Sequence, residues 1–347
     1  MTDTLGFLDA VAGLPEQLAD AHRAAGTVDP ARFPDAADVG NVVVLGMGGS
    51  GISGDVVSAA FSDELPVPVT VLKQMRVPAF VGPATVAFAV SYSGDTEETL
   101  AMAEAAVDRG ARLVAVSRGG ALADLADRVG ALHLPCPDGY MPRAAVGALV
   151  APLVVSLFRM GLVPGGHSAL VAAEQRLTVR RDECRPEVEG DANPARELAR
   201  RIDRTIPLVY GAGALGGVAA YRWKCDVNEN AKAPAFSHQY PELDHNEICA
   251  WGQHGDITRQ LLTLVELRHS FEHDRLRPRV EITREIVEEC FHQVLVVAAA
   301  GEGRLAQLLD LMYLGDWVSC YLALRNDVDP GPIAAIADLK ARMADLA

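Results

Sequence analysis

Two distant stretches of the chain share one pattern: an unbroken apolar run, a glycine-rich turn, then a helix. They are Val43-Val44-Leu45-Gly46-Met47-Gly48-Gly49 and Pro207-Leu208-Val209-Tyr210-Gly211-Ala212-Gly213. A strand without polar alternation has no face to offer water, so helices must cover it on both sides. Similar runs at 42–45, 69–72, 85–90 and 112–116 alternate with helical patterns, and further runs lie at 261–265 and 293–298. The arrangement predicts an α/β fold of two doubly wound, mainly parallel sheets in tandem, the second a degenerate copy of the first. We expect an N-terminal subdomain over residues 1–150, a helical connector over 151–204 and a C-terminal subdomain over 205–347. The first is led by one amphipathic helix over 3–25, carrying Leu5, Leu8, Val11, Leu18 and Ala19. Helical periodicity at 282–291, 304–325 and 332–346 completes the last.

The chain has 347 residues, half of them hydrophobic, enough for two cores of this kind. Its formal charge of −15 argues against nucleic acid or an anionic membrane as partner, since both require a basic face. A small anion remains compatible, because backbone N–H groups and one local arginine can hold it. The six cysteines are scattered with no metal-ligand spacing, which fits reduced thiols. The N-terminus bears acids where a signal peptide needs positive charge, and the apolar run 146–163 is interrupted by Pro152 and Arg159. A soluble cytoplasmic protein is expected.

Gly46-Met47-Gly48-Gly49-Ser50-Gly51 puts small residues and free N–H groups at a helix start. On its own this pattern also fits a dinucleotide turn or a merely tight one. Ser91-Tyr92-Ser93-Gly94-Asp95-Thr96-Glu97-Glu98-Thr99 adds several hydroxyls at a second helix start, suited to phosphate oxygens. Ordinary capping by Ser93 or Thr96 accounts for one hydroxyl only. A Rossmann cofactor site would place an acid after the second strand, where Lys73 stands. Further on, Asn228-Glu229-Asn230-Ala231-Lys232 and Glu242-Leu243-Asp244-His245-Asn246-Glu247 supply a carboxylate and an imidazole close in sequence. Glu229 could instead pair with Lys232, and His238 and His254 rival His245. A metal site from His238, His245 and Glu247 fits no helical ligand pair, so none is expected.

The Ser91-x-Ser93-Gly94-x-Thr96-x-Glu98-Thr99 loop resembles the phosphate loop of sugar isomerase (SIS) domains. Together with Gly46–Gly51, Asn228–Lys232 and Glu242–Glu247, it resembles the bifunctional phosphoglucose/phosphomannose isomerases over nearly the whole chain. Asp95 and Asp244 depart from that pattern, where asparagine is expected. The resemblance implies SIS-type subdomains with Gly49, Ser50, Ser91, Ser93 and Thr96 on the sugar phosphate. It further implies Glu229 as base, His245 and Lys340 as ring-opening groups, and Arg143 as the cation beside the intermediate. The partner is then a small phosphosugar, no cofactor is called for, and a homodimer is implied with His245 reaching the neighbour's pocket. Aldose–ketose exchange through a cis-enediol needs only one carboxylate to remove and return the proton. Two readings stand beside it: a non-catalytic phosphosugar-binding module, with no use for Glu229 and His245, and a Rossmann oxidoreductase. The bland readings of Arg143 and Lys340 are a solvated helix-start arginine and a surface lysine.

Overall fold

A computed structural model describes residues 2–345. Along the chain come α1 (Phe7–Ala12), α2 (Leu14–Gly26), β1 (Asn41–Leu45), α3 (Gly48–Ala60), β2 (Val69–Leu72), β3 (Thr85–Val90), α4 (Glu97–Asp108), β4 (Arg112–Ser117), α5 (Gly120–Val129) and β5 (Leu132–Pro135). Then follow α6 (Val146–Arg159), α7 (Gly166–Cys184), α8 (Pro194–Ile202), β6 (Ile206–Ala212), α9 (Gly213–Asn230), β7 (Phe236–Tyr240), α10 (Gly255–Leu261), β8 (Leu262–Arg268), α11 (Leu276–Val287), β9 (Gln293–Ala298), α12 (Arg304–Arg325) and α13 (Ala334–Ala344). The chain divides into two compact units. The first comprises Gly13–Val179 and Ala300–Asp310; the second comprises the residues through Ala12, Arg180–Ala299, and those from Leu311 onward.

In the first unit the strands run β2-β1-β3-β4-β5, every neighbouring pair parallel. Period-two alternation divides the side chains between faces. Val43, Leu45, Ala87 and Ala89 pack with Met102 and Ala103 of α4 and Leu122 and Leu125 of α5. The opposite face, bearing Val44, receives α3, whose Gly54 lets the helix lie close: a Cβ there would stand 2.8 Å from Val44. Both faces are thus covered, the reason β3 is buried at all six positions.

The second unit repeats the order as β7-β6-β8-β9, again parallel throughout, with four strands among the described residues. Leu208, Tyr210, Ala212 and Leu264 form its core with Leu276, Val280 and Val287 of α11. Within the unit α9 meets α12 closely, because Gly315 leaves room for the Trp223 indole, whose Nε1 donates to the Leu311 carbonyl at 2.7 Å. The expected α/β class with two parallel sheets is what the structure has.

Several boundaries differ from the sequence reading. The single helix expected over 3–25 breaks at Gly13 into α1 and α2, with Pro15 in the first turn of α2, where its missing N–H costs nothing. The strand expected from Leu261 starts at Leu262, since Leu261 ends α10. The helix expected at 282–291 runs Leu276–Val287 and passes into a 3-10 turn, Glu288–Cys290. α12 matches its expected span, and α13 lies inside 332–346, of which Leu346 falls outside the described residues. The strands β5 and β7 had no counterpart in the sequence reading. The six cysteines are free thiols, and among the described residues no helix is long and apolar enough to cross a membrane.

Candidate active site

The first unit carries the hydroxyl-rich loops. In the order 2-1-3-4-5 the chain reverses direction of winding between β1 and β3, the position where α/β sheets open a crevice at their carboxyl ends. Both glycine/hydroxyl turns leave the sheet there, Gly46–Gly51 from β1 and Ser91–Thr96 from β3. They abut: a Cβ at Gly46 would come within 2.9 Å of the Val90 carbonyl. Gly48 has φ +52 and opens α3, so Gly49 and Ser50 occupy the first helical turn, half-buried.

In the second loop, Ser91 Oγ and Thr96 Oγ1 are 2.8 Å apart, and Ser91 and Ser93 hydroxyls 3.5 Å apart. Thr96 stands at the N-cap of α4, yet its side chain makes no capping bond. The Gly94 amide donates to Ser91 Oγ (3.1 Å) and the Asp95 amide to Ser93 Oγ (3.2 Å). These hydroxyls therefore converge on one another at a helix start rather than serving as ordinary caps. Gly94 adopts φ +82 and lies so close to the Gly119 carbonyl that no side chain fits.

Asp95 turns to α5: its Oδ1 accepts from the Ala121 amide at 3.0 Å. The 3-10 turn Pro142–Ala144 packs on α3, and its Arg143 is buried, 9% exposed, unlike a solvated helix-start arginine. Lys73, at the end of β2, pairs with Asp55 of α3, whose carboxyl is pushed up by burial against the pull of Lys73.

The second unit carries Glu229, His245 and Lys340. Glu229 is half-buried near the end of α9 and has no hydrogen bond or ion pair among the described residues. Lys232, its expected i,i+3 partner, has φ +53 and donates instead to the carbonyls of Asn230, Asp329 and Pro330 at 3.2, 2.9 and 3.2 Å. Below Glu229 lies a cluster missed in the sequence: Arg222 and Asp226 of α9 with Asp316 of α12, all buried. The Arg222/Asp226 half is an i,i+4 pair visible in sequence; Asp316, in α12, is not near it in the chain.

His245 is exposed, in the 3-10 turn Glu242–His245 that follows β7. The preceding Asp244 anchors that turn, accepting from Thr283 Oγ1 of α11 at 2.7 Å with Arg279 at 3.9 Å. Its rival His238 is engaged: Nδ1 lies 2.7 Å from Glu247 Oε2, and Tyr210 donates to Glu247 Oε1 at 2.5 Å. Burial, then Glu247, drives the Tyr210 phenol far up, so it stays a donor. His254 is exposed at the N-cap of α10. Lys340 is exposed on α13, beside Arg342, which pairs with Asp338.

The glycine turn after β6 lacks hydroxyls. Gly211 and Gly216 are in backbone contact, and His269 Nε2 donates to the Ala212 carbonyl at 2.7 Å, joining the carboxyl ends of β6 and β8 at the corresponding switch point.

Residues 191–343 match the family model described as the bacterial phospho-glucose isomerase C-terminal SIS domain. The chain is 33% identical over 340 residues to a bifunctional phosphoglucose/phosphomannose isomerase of Caldicellulosiruptor bescii, covering 98% of this chain and 99% of that one. A protein of the same description from Thermoplasma acidophilum is 34% identical over 306 residues, covering 88% and 90%. Among solved structures, a hypothetical protein from Thermus thermophilus aligns with a TM-score of 0.74 at 16% identity, over 99% of this chain and 91% of that one. The C-terminal domain of glucosamine-fructose-6-phosphate aminotransferase from Francisella tularensis aligns with a TM-score of 0.70 at 14% identity, over 94% and 97%. At such identities the structural likeness concerns the fold alone.

Proposed function

The chain belongs to the bifunctional phosphoglucose/phosphomannose isomerases, and from that membership we propose that it interconverts glucose 6-phosphate and mannose 6-phosphate with fructose 6-phosphate. Glucose and mannose differ only at the carbon that becomes planar in the enediol, so one base serves both. The reaction as written requires neither metal nor cofactor.

The phosphate rests on Gly49 and Ser50 at the start of α3 and on the hydroxyls of Ser91, Ser93 and Thr96. Helix starts favour anions through their unpaired N–H groups and positive end, which lets a chain of charge −15 bind one. Glu229 removes the proton from the carbon beside the carbonyl and returns it to the neighbouring carbon. Arg143 neutralises the enediolate oxygen, a contribution of about 3 kcal/mol by analogy with other oxyanion contacts. His245 moves a proton between ring oxygen and hydroxyl near neutral pH, and Lys340 assists.

His245 acts in the partner's site of a homodimer. Within one unit, Glu229 precedes β7 while His245 follows its far end, and the five residues of β7 extend about 17 Å at ~3.3 Å each. That separation supports delivery of the imidazole across a subunit boundary. We place the protein in the cytoplasm, where such sugars are metabolised.

The observation that carries the catalytic reading is the unpartnered Glu229 carboxylate: Glu266, Glu272, Asp226 and Asp316 of the same unit are each engaged by arginine. A binding module would have no use for a half-buried acid left free. The test is a coupled assay of chelator-treated protein on both aldose phosphates beside Glu229→Gln. Turnover by the parent, a loss of about 10³-fold in the variant and retained sugar-phosphate binding support the isomerase. Binding without turnover in the parent would make the protein a phosphosugar-binding module instead.

A further inference from the structure

Arg222, two helical turns before Glu229 on α9, is held between two acids, of which Asp226 lies about one turn before Glu229. Its Nε and Nη2 donate to Asp316 Oδ1 at 3.1 and 2.8 Å, and Nε lies 2.8 Å from Asp226 Oδ2. The three side chains are 4%, 10% and 2% exposed in the order Arg222, Asp316, Asp226. Nε has a single hydrogen, which is directed to Asp316. The contact with Asp226 Oδ2 is one of charge, and that oxygen has no hydrogen-bond partner among the described residues.

Two carboxylates against one guanidinium leave a net negative charge away from water, which costs several kcal/mol. Retaining one proton on the carboxyl pair removes that cost. Burial foremost, opposed by Arg222 and reinforced by Asp316, holds the Asp226 carboxyl well above the usual carboxylate range. A second tie joins the helices: Asn230 Nδ2 donates to Ser319 Oγ at 2.9 Å, and Ser319 Oγ to the Asp316 carbonyl at 2.8 Å. Positions 222 and 230 of α9 are thus both fixed to α12, on either side of Glu229.

We propose that Asp226 and Asp316 are positioning residues for Glu229: together they balance Arg222 to zero net charge, fasten the end of α9 to α12, and spare the base an uncompensated cation. The proposal rests on the reading of Glu229 as the base. An unbalanced guanidinium would drain its proton affinity, whereas two ionised acids would raise it. Among the described residues, Cys225 acts on Asp226 and Tyr313 faces Asp316, while Lys224 stands beyond Cys225, over the Tyr221 ring. Cys225 and Tyr313 are pushed up, chiefly by burial, and so stay neutral.

The test is a carbon-13 NMR titration of the Glu229 carboxyl in the native protein, Asp226→Asn, Asp316→Asn and the double variant. The pH dependence of kcat/KM on fructose 6-phosphate is measured in parallel. Either single variant keeps the cluster neutral, so Glu229 should titrate within roughly half a unit of native. The double variant exposes Glu229 to a bare guanidinium, so its titration point and the acid limb of kcat/KM should fall by about one unit or more. A residue with a merely structural role would not move that limb. A drop of a full unit in Asp226→Asn alone, or no movement in the double variant, overturns the proposal. Should the double variant fail to fold, Asp226→Ser combined with Asp316→Asn takes its place, since it leaves the same guanidinium without either acid, and no fall there overturns the proposal. The NMR titration needs no turnover: an inactive native protein showing these shifts would sink the isomerase reading and leave the cluster intact.

Discussion

The Asp95 carboxylate accepts a hydrogen bond from the Ala121 amide at 3.0 Å, which aims the acid of the hydroxyl loop at the start of α5. The negative charge thereby meets a positive helix end. Asp95→Asn should change phosphosugar affinity by less than about threefold in calorimetric titration, while lowering stability by about 0.5–1 kcal/mol. Tenfold tighter binding in the variant would mean that Asp95 faces the phosphate after all.

Ser91 and Thr96 should carry unequal shares of the anion. Ser91 Oγ touches Thr96 Oγ1 and also accepts from the Gly94 amide, so its loss loosens the turn itself. Ser91→Ala should weaken fructose 6-phosphate binding by more than tenfold and Thr96→Val by about tenfold, near the lower end of the roughly 1.5–3 kcal/mol for a bond to a charged group. Equal affinity in both variants and the parent would move the phosphate elsewhere.

Subunit sharing predicts complementation. Glu229→Gln and His245→Gln homodimers should each be nearly inactive, whereas a mixture refolded together forms hybrids in which one of two sites is whole. About a quarter of native activity should return at equal amounts. Failure to recover any activity from verified hybrids would put both residues in one subunit's site.

The second sheet carries an acid-sensitive tie. Glu272 accepts two bonds from Arg268, at 2.8 and 2.7 Å, and one from the His269 amide at 2.9 Å. Burial raises its carboxyl, but these bonds prevail and hold it below its ordinary value of 4.5. A lowered folded pKa gives stability that is present above the unfolded value and lost as pH falls from 4.5 through the lower folded one. Glu272→Gln should cost about 3 kcal/mol at pH 7. That difference should narrow below pH 4.5 in urea unfolding, and a gap constant with pH would contradict it.

What the sequence disclosed and what it hid follow from range. The strands at 42–45 and 85–90 were legible because burial on both faces leaves them uniformly apolar. β7, Phe236-Ser237-His238-Gln239-Tyr240, was not: it is an edge strand, mostly half-buried or exposed, and polar enough to pass for a loop. Gly13 and Pro15 sit in an apolar stripe that continues across the break between α1 and α2, so periodicity alone joined them. The candidate residues Ser91, Ser93 and Thr96 were readable because their spacing is local. Asp316 was not, since it reaches Arg222 only through the packing of α12 on α9.

The imidazole of His269, bonded to the Ala212 carbonyl, has a numerical consequence. The two sheets have corresponding switch points, but in the second a histidine ring ties the carboxyl ends of β6 and β8 together, where the first carries its hydroxyl loops. Ligand occupancy should therefore saturate at one equivalent per polypeptide, and the second half is released from recognition to hold the acid proposed as the base.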